Sequence, residues 1–461
     1  MNPSVSRRNF LRSNLTAALA ASAFPLVVPA SVLGRAGAVA PNSRVGVAAI
    51  GVEPQGQGVM GGILARPNAR VVVVCDVMDA HREGAKKRVD ERYGNQDCAA
   101  LKDFREVMRR PDVDAVSIAT PDHWHVPVAV AAARAGKDIY LEKPMGLAFA
   151  EDRLLREAVQ KRQRVFQFGT QQRSSREFQR AIELVRNGRI GKLKHINVWA
   201  PASRPGGSTT PTPPIAGLDY EFWLGPAPAT PYTDGKAADN PATGAWKTWW
   251  YNADYALGFV AGWGVHPLDI ALWGHPAMMQ GVMAIQGQGV IPKEGAGNTA
   301  VAWDVRFTFA DGVTMTFRGT QNGYDERLPM NDLAEWTARY GPIEGHGTAF
   351  EGTDGWVEVH RGGLRTHPES LAQEAPSDGG FRARPSDSHQ GDWIDSIQAR
   401  RPAVCGIEES VQADLLCHLG DIALRSGRAL KFDGAKERFV EDAEANRRLE
   451  LRPVRKGWEW V

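Results

Sequence analysis

Two glycines carry the pattern of a dinucleotide-binding turn. Gly51 follows the apolar run Val45–Ile50, and Gly56 comes five residues later. This spacing matches the first and third glycines of the G-x-G-x-x-G fingerprint, where a strand turns tightly into a helix beside a pyrophosphate. Glu53 occupies the middle position, where a carboxylate would repel the pyrophosphate unless it is turned away. The glycine motif therefore needs support from elsewhere in the sequence.

Asp76 supplies that support. It ends the second apolar run, 25 residues after Gly51, where an acidic residue can accept hydrogen bonds from the ribose hydroxyls of adenosine. No Arg follows immediately to neutralise a 2'-phosphate, so the pattern predicts NAD, with NADP the less favoured cofactor. Pro54 and Gln55, which lie between the glycines, are predicted to contact the cofactor with them.

The alternation of apolar and amphipathic segments around these residues predicts a doubly wound parallel sheet. From Arg44 to about Phe168, short apolar runs alternate with amphipathic stretches, as in β-α-β units of α/β proteins. We expect residues 41–168 to form an N-terminal Rossmann domain. The predicted strands are Val45–Ile50, Val71–Cys75, Ala115–Ala119, Asp138–Leu141 and Val165–Phe168, and the predicted helices are Ala80–Tyr93, Val126–Ala135 and Ala148–Lys161.

Residues 169–461 are predicted to form an α+β domain with a mainly antiparallel open sheet. A Pro- and Trp-rich stretch, Pro201–Tyr255, predicts an ordered covering loop. The predicted strands are Lys194–Trp199, Ala300–Phe309 and Val313–Arg318, the last two joined by a hairpin turn at Ala310-Asp311-Gly312. The predicted helices are Phe178–Arg186, Gly391–Arg400 and Ser410–Ser426, followed by an irregular tail.

Composition limits the class of protein. The chain has 461 residues, of which 43% are hydrophobic and 23% charged, and a formal net charge of +2, values typical of a soluble globular protein. Charges of both signs are interspersed without a Lys/Arg run, which argues against nucleic-acid binding. The four cysteines lack metal-ligand spacing and predict buried thiols, although a Cys405–Cys417 bridge stays possible. No metal site is predicted.

A succession of specific motifs resembles the Gfo/Idh/MocA family of NAD(P)-dependent oxidoreductases. The motifs are Thr120-Pro121-Asp122-His123-Trp124-His125, Glu142-Lys143-Pro144, Gly169-Thr170-Gln171-Gln172-Arg173 and Gly264-Val265-His266-Pro267-Leu268-Asp269. The resemblance implies that Lys143 hydrogen-bonds the substrate oxygen and that His266 is the general base. It also implies cofactor contacts from Thr120, Pro121, His125, Glu142, Lys143 and Gln171, and substrate contacts from Trp124, Arg173 and Trp263.

One departure from the family pattern concerns the partner of the histidine. Many relatives have an Asp four residues before it, where this chain has Gly262. Asp269, three residues after His266, could instead orient the imidazole or bond a backbone amide, and we include it among the predicted catalytic residues. His123 is expected to be exposed. Four further tryptophans could form either sugar-stacking walls or ordinary core: Trp199, Trp223, Trp249 and Trp250.

The N-terminus resembles a twin-arginine export signal. Ser6-Arg7-Arg8-Asn9-Phe10-Leu11 precedes a short, weakly apolar run rich in Ala. Residues 1–40 are therefore predicted to be a signal peptide that the twin-arginine machinery recognises, in an exported bacterial branch of the family, with a periplasmic or otherwise exported product.

The predicted function is oxidation or reduction of a carbohydrate or polyol hydroxyl with NAD. Two alternatives stay open from the sequence: an NAD-dependent glycosidase that works by transient oxidation and elimination, and a non-catalytic sugar-binding member of the family. Family resemblance further implies a homo-oligomer formed through the open sheet of the second domain.

Overall fold

Six parallel strands form the first sheet of the computed structural model, which describes residues 43–320, 333–343, 345–374 and 379–460. The strand order is β3-β2-β1-β4-β5-β6. All six residues of β1 are buried, as expected for a strand covered on both faces. The strands are β1 (Val45–Ile50), β2 (Ala69–Cys75), β3 (Ala99–Leu101), β4 (Ala115–Ile118), β5 (Asp138–Leu141) and β6 (Phe166–Phe168).

Strand β1 lies between β2 and β4, so the strand order reverses at this point. Open α/β sheets bind ligands in the crevice that such a reversal creates beyond the carboxyl ends of the strands. The helices that accompany this sheet are α1 (Pro54–Leu64), α2 (Asp79–Tyr93), α3 (Phe104–Met108), α4 (Asp122–Arg134) and α5 (Phe149–Arg162). The predicted α/β fold with an N-terminal parallel sheet is confirmed.

Helix α4 begins four residues before its predicted start. The prediction placed its first residue at Val126, whereas the helix begins at Asp122, directly after Pro121. Its first turn therefore contains Trp124 and His125, two residues of the sequence motif. The predicted 1–40 signal peptide lies outside the described residues.

Nine strands form the second sheet, in the order β13-β12-β11-β7-β10-β9-β8-β14-β15. All neighbours are antiparallel except β7 and β10. The strands are β7 (Leu193–Pro201), β8 (Val282–Val290), β9 (Ala302–Thr308), β10 (Thr314–Thr320), β11 (Gly347–Gly352), β12 (Trp356–His360), β13 (Gly363–His367), β14 (Leu430–Asp433) and β15 (Arg438–Phe439). The remaining α-helices are α6 (Arg176–Arg186), α7 (Tyr220–Leu224), α8 (Phe259–Gly262), α9 (Val265–Gly274), α10 (Ala334–Tyr340), α11 (His389–Ala399), α12 (Ile407–Ser426) and α13 (Ala443–Arg447).

Two predictions for the second half are settled by this sheet. Strands β9 and β10 form the predicted antiparallel hairpin. The prediction of an irregular C-terminal tail is wrong, because β14 pairs with β8 and extends the sheet. Its apolar residues Leu430 and Phe432 alternate with polar ones, but a four-residue strand is too short to stand out in the sequence.

The segment 201–255, called here the covering insertion, has a hydrophobic core of its own. Trp223, Tyr232, Trp249 and Tyr255 are buried together. Its tryptophans therefore belong mainly to a packed core. Trp199 is likewise buried on the second sheet, where it packs with Trp336.

The C-terminal part of the chain returns to the first sheet. Trp393, Ile394 and Ile397 of α11 pack in the same cluster as β1. All four cysteines are buried free thiols, so the possible Cys405–Cys417 bridge is absent. None of the described helices combines the length and the hydropathy that crossing a bilayer would require.

Candidate functional site

The glycine turn after β1 has the geometry that its sequence predicted. Gly51 has a φ of +77°, and a Cβ there would lie 2.5 Å from the carbonyl oxygen of Ala119. A Cβ at Gly56 would lie 1.9 Å from the carbonyl oxygen of Gly51. Both positions therefore require glycine. Pro54 occupies the first turn of α1, and a helix N-terminus, where backbone amides lack intrahelical partners, is suited to an anion.

A cleft opens at the carboxyl ends of β1, β2 and β4. Asp76 lines it, and its carboxylate accepts hydrogen bonds from the amides of Val52 (2.9 Å) and Met78 (2.8 Å). Thr120 and Pro121 also line the cleft, and the buried Thr120 hydroxyl has no hydrogen-bond partner among the described residues. These donors and acceptors fit the adenosine half of a dinucleotide.

Glu142 joins three parts of the site through one carboxylate oxygen. Oε1 accepts hydrogen bonds from Nε2 of Gln55 (2.9 Å) and Nε2 of Gln171 (3.0 Å). Gln55 lies in the first turn of α1 and Gln171 follows β6, so the predicted cofactor residues from both regions do come together. Burial raises the pKa of the Glu142 carboxyl. Gly169 packs so closely that a Cβ there would lie 2.8 Å from this side chain.

Lys143 lies two residues after the end of β5, beside Trp263. Its Nζ donates a 3.0 Å hydrogen bond to the carbonyl of Gly262 and lies 5.8 Å from the centroid of the Trp263 ring. His125 was predicted to contact the cofactor, but it is 1% exposed and secures the turn after Lys143. Its Nδ1 lies 2.5 Å from the carbonyl oxygen of Pro144 and its Nε2 lies 2.9 Å from that of Thr120.

His266, in the first turn of α9, faces the same tryptophan. Its ring centroid lies 5.8 Å from that of Trp263, and the side chain is buried. Nδ1 has no hydrogen-bond partner among the described residues. Burial lowers the pKa of His266 well below its usual value, and the positive charges of Lys143 and Arg361 lower it further. The imidazole is therefore neutral near pH 7 and able to accept a proton.

Asp269 does not hold His266 in place. Both of its carboxylate oxygens accept hydrogen bonds from Arg173, at 2.8 Å and 2.6 Å, and both side chains are buried. The predicted catalytic role of Asp269 and the predicted substrate contact of Arg173 are therefore corrected. The guanidinium also lies over the Trp273 ring, at 5.2 Å. A planar guanidinium matches a carboxylate with two parallel hydrogen bonds, which leaves neither group free for the pocket.

Trp124 lies in the adenosine cleft and not beside Trp263. It stacks on Phe222 of the covering insertion with ring centroids 5.6 Å apart, and it lines the cleft with Asp76. The predicted substrate contact is thus corrected to a wall of the nucleotide cleft. His123, expected to be exposed, is 4% exposed and hydrogen-bonds the carbonyl of Trp223 at 2.9 Å.

Two further residues with side chains close to Trp263 were not predicted. His346 lies 5.1 Å from the Trp263 ring centroid and 2.8 Å from Nε2 of Gln172, and burial lowers its pKa to about 4. The guanidinium of Arg361 lies 5.4 Å from the same ring. Neither residue belongs to a local motif, and each is distant in sequence from the other pocket residues. No signal in the sequence alone identifies them.

A buried charge cluster supports the turn that carries Lys143. His418 Nε2 lies 3.2 Å from Asp152 and 3.3 Å from Asp414, and all three residues are buried. Burial opposes a charge on His418, but the two carboxylates raise its pKa to about 10, so the imidazolium neutralises one of them. Asp414 accepts a 3.0 Å hydrogen bond from the amide of Met145, two residues after Lys143.

Two segments of the chain match known protein families. Residues 45–170 match "Oxidoreductase family, NAD-binding Rossmann fold" (GFO_IDH_MocA), and residues 381–460 match "Oxidoreductase family, C-terminal alpha/beta domain" (GFO_IDH_MocA_C2). The predicted NAD-binding Rossmann domain is thereby confirmed.

Relatives and solved structures are similar over different shares of the chain. Glycosyl hydrolase family 109 protein 2 of Shewanella sp. (strain ANA-3) is 31% identical over 41% of this chain and 44% of its own length. Myo-inositol 2-dehydrogenase of Thermotoga maritima is 33% identical over 30% of this chain and 38% of its own length. The chain thus spans less than half the length of these relatives. The structure of aldose-aldose oxidoreductase from Caulobacter crescentus covers 84% of this chain and 100% of that chain with a TM-score of 0.60 and 19% identity, a likeness of fold.

Proposed function

We propose that this chain oxidises or reduces a hydroxyl-bearing carbon of a carbohydrate or polyol, because residues 45–170 and 381–460 match the NAD-binding and C-terminal domains of the Gfo/Idh/MocA oxidoreductase family. The observation that carries the proposal is the pairing of Lys143 and His266 around Trp263. An ammonium and a neutral imidazole at one aromatic surface suit a sugar hydroxyl that must lose its proton. The name of one relative, myo-inositol 2-dehydrogenase, supports the same substrate class.

The residues that would hold NAD are those of the cleft and the glycine turn. The pyrophosphate would lie at Gly51, Gly56 and the first turn of α1, and the adenosine ribose would contact Asp76 and Thr120. Glu142 and its two glutamine partners would contact the other half of the dinucleotide. Bound NAD supplies a hydride acceptor in one direction and a hydride donor in the other.

In the direction of oxidation, the substrate hydroxyl gives its proton to neutral His266 as the hydride leaves its carbon. Lys143 donates a hydrogen bond to the same oxygen and stabilises the negative charge that develops there. In reduction, His266 returns the proton to the oxygen. Preorganised groups of this kind do not need to reorganise during the reaction, because Gly262 and the Pro144 turn already hold the lysine.

The predicted export signal implies a further property of the enzyme. Outside the cytoplasm, free nicotinamide cofactor is scarce, so a useful enzyme holds NAD through repeated turnovers and regenerates it on the substrate. Oxidation of one sugar coupled to reduction of another would satisfy this condition. We include export by the twin-arginine pathway and a homo-oligomer formed through the second sheet in the proposal.

A second candidate function is glycoside cleavage by transient oxidation, elimination and reduction. The similarity to a glycosyl hydrolase family 109 protein favours it. The same lysine and histidine would serve its two redox steps, and NAD would be unchanged over the full cycle. A non-catalytic sugar-binding protein is the third candidate, and any turnover that depends on Lys143 excludes it.

One experiment separates these candidates. Purified protein is incubated with NAD and a panel of free sugars, polyols and glycosides, the 340 nm absorbance is followed, and products are identified by mass. A dehydrogenase gives reduced cofactor, a sugar-to-sugar exchange gives an oxidised and a reduced sugar, and a glycosidase gives free aglycone. A protein that binds NAD but converts none of the panel contradicts the proposed activity.

The low pKa of His266 predicts the pH profile of the enzyme. A base must be unprotonated, and the pKa lowered by burial moves protonation of His266 to pH values well below 6.5. We expect kcat/KM for oxidation to stay constant as the pH falls through 6.5 and to decline only at lower pH. A His266→Gln variant should lose about 10²- to 10⁴-fold in kcat/KM and lose this acidic limb. A limb centred near pH 6.5 that survives in His266→Gln would contradict the assignment.

A further inference from the structure

The covering insertion closes one side of the nucleotide cleft. Backbone hydrogen bonds fasten it to the loop after β2: the amide of Asp79 donates to Gly217 (2.9 Å), and the amide of Asp219 donates to Val77 (3.1 Å). The Asp219 carboxylate also pairs with Lys102, at 3.3 Å. Leu218, Phe222, Trp223 and Ala237 of the insertion line the cleft.

A second attachment ties the insertion to α4. The carbonyl oxygen of Trp223 accepts a 3.0 Å hydrogen bond from Nε1 of Trp124 and lies 2.9 Å from Nε2 of His123. His123 and Trp124 both lie in the first turn of α4, which comes directly after the cleft residues Thr120 and Pro121. The insertion is therefore built into the wall of the cleft.

Lys247 of the insertion reaches the glycine turn itself. Its Nζ lies 2.9 Å from Oε2 of Glu53 and 4.9 Å from the ring centroid of Trp250. Glu53 is the N-cap residue of α1, and its side chain makes no capping hydrogen bond. The insertion thus brings an ammonium to the helix N-terminus where the sequence fingerprint has a carboxylate instead of the second glycine.

We propose that Lys247 is a phosphate ligand of the dinucleotide, and that this inserted lysine takes over part of the anion binding that the missing glycine would allow. The inference rests on the proposed use of NAD. A pyrophosphate carries more charge than Glu53 and lies at the helix N-terminus when bound, so Lys247 exchanges or shares its partner on binding. Glu53 holds the ammonium in place before the cofactor arrives.

This role can be tested by calorimetric titration of the full chain after bound cofactor has been removed. The titration measures the affinity for ADP-ribose as the probe and for adenosine as the phosphate-free control. Lys247→Ala should weaken ADP-ribose binding about 10- to 100-fold, the loss of one charge-assisted hydrogen bond, and leave adenosine binding unchanged. Lys293→Ala, at an exposed lysine outside the insertion, is the matched control and should change neither affinity.

The double variant Glu53→Gln/Lys247→Ala distinguishes direct binding from mere neutralisation of Glu53. If Lys247 contacts phosphate, the double variant binds ADP-ribose as weakly as, or only a little better than, Lys247→Ala. Wild-type affinity in the double variant overturns the proposal, as does unchanged affinity in Lys247→Ala. Wild-type protein that binds neither ADP-ribose nor NAD overturns this proposal and the cofactor assignment together.

An independent observation concerns the substrate side. Arg361, at the tip of the β12–β13 hairpin, makes no hydrogen bond or ion pair with any described residue, although its guanidinium lies over Trp263. Lys143 lies over the same ring and bonds only the Gly262 carbonyl there. Of the nearby carboxylates, Asp269 is paired with Arg173, and Glu142 accepts hydrogen bonds from two neutral glutamines but forms no ion pair with Arg361.

From this excess of positive charge we infer that the substrate is an anionic sugar, whose acidic group Arg361 binds while Trp263 contacts the ring. The inference deepens the proposed function, on which it rests. A free guanidinium presents a planar set of donors that matches a carboxylate with two hydrogen bonds, or a phosphate with similar geometry. His346 and His266 are neutral, so the single carboxylate of Glu142, which acts on both Lys143 and Arg361, can offset only one of these two cations.

This inference can be tested without turnover by the quenching of tryptophan fluorescence in the NAD-loaded protein. The quenching gives the affinities for glucuronate, glucose 6-phosphate and glucose. At least one of the two anions should bind at least tenfold more tightly than glucose, and the better anion identifies carboxylate or phosphate. Arg361→Ala should abolish that preference, Arg361→Lys should retain part of it, and Arg438→Ala, at an exposed arginine elsewhere, should retain all of it. Equal binding of all three sugars, or a preference unchanged in Arg361→Ala, overturns the inference.

Discussion

Replacement of Lys143 by alanine is expected to lower kcat by about 10³-fold or more while NAD binding is largely kept. The ammonium is the charged donor beside Trp263, and its loss leaves the developing negative charge on the substrate oxygen without a partner. The Gly262 carbonyl, which the ammonium now contacts, loses this hydrogen bond, and Gly262 is only half-buried. The measurement is turnover by 340 nm absorbance, together with bound nicotinamide counted per chain.

A second variant and a folding measurement serve as controls for the Lys143→Ala result. Lys143→Arg keeps the charge but changes the donor geometry, so it should recover only part of the activity. Circular dichroism should show that both variants fold, because the turn itself is held by Pro144 and by the hydrogen bond from Met145 to Asp414. A Lys143→Ala enzyme with wild-type kcat would refute the assigned chemistry, and a variant that has lost NAD would move Lys143 from catalysis to cofactor binding.

Replacement of Asp269 by asparagine is expected to lower the free energy of unfolding by about 3–5 kcal/mol. The change leaves the buried Arg173 guanidinium without its counter-charge, and an uncompensated buried charge is strongly destabilising. Urea unfolding followed by fluorescence gives the value. Asp97→Asn, which breaks the exposed 2.8 Å pair with Arg70, is the matched control and should change stability by about 1 kcal/mol or less.

The same variant decides between a stabilising and a catalytic role of Asp269. Since its carboxylate bonds Arg173, the folded Asp269→Asn enzyme should keep near wild-type kcat when assayed well below its melting temperature. A variant of wild-type stability with strongly reduced kcat would restore the predicted support of His266. The pH profile supplies a second readout, because loss of an orienting carboxylate would shift the acidic limb and loss of a remote ion pair would not.

Several parts of the site could be predicted because their chemistry is local. Gly51 is needed for its φ of +77° and Gly56 for its close approach to the carbonyl of Gly51, and the apolar run of β1 precedes them directly. Asp76 follows from its place at the end of the next strand. Lys143 and His266 were identified through motifs of consecutive residues, and the structure brings both to Trp263.

The roles that were assigned wrongly depend on partners far along the chain. Asp269 and Arg173 lie 96 residues apart, and each was assigned to the pocket because the ion pair between them leaves no trace in either motif. Trp124 was placed with the substrate because the stacking partner Phe222 comes from the covering insertion. Side chains on one helix face can be counted from the sequence, but the group that opposes that face cannot.

The parallel sheet, the glycine turn and the acidic strand end are predictable from the amino-acid sequence, because periodicity and backbone geometry are local properties. The lysine and the histidine are predictable because they stand in motifs of consecutive residues. The pairing of charges, in contrast, depends on the whole fold. Glu53 and Lys247 are 194 residues apart, yet their ion pair determines whether the helix N-terminus repels or attracts an anion. Arg361 reaches Trp263 only through the pairing of β11, β12 and β13. Electrostatic interactions depend on distance in space, and that distance is set by the whole fold.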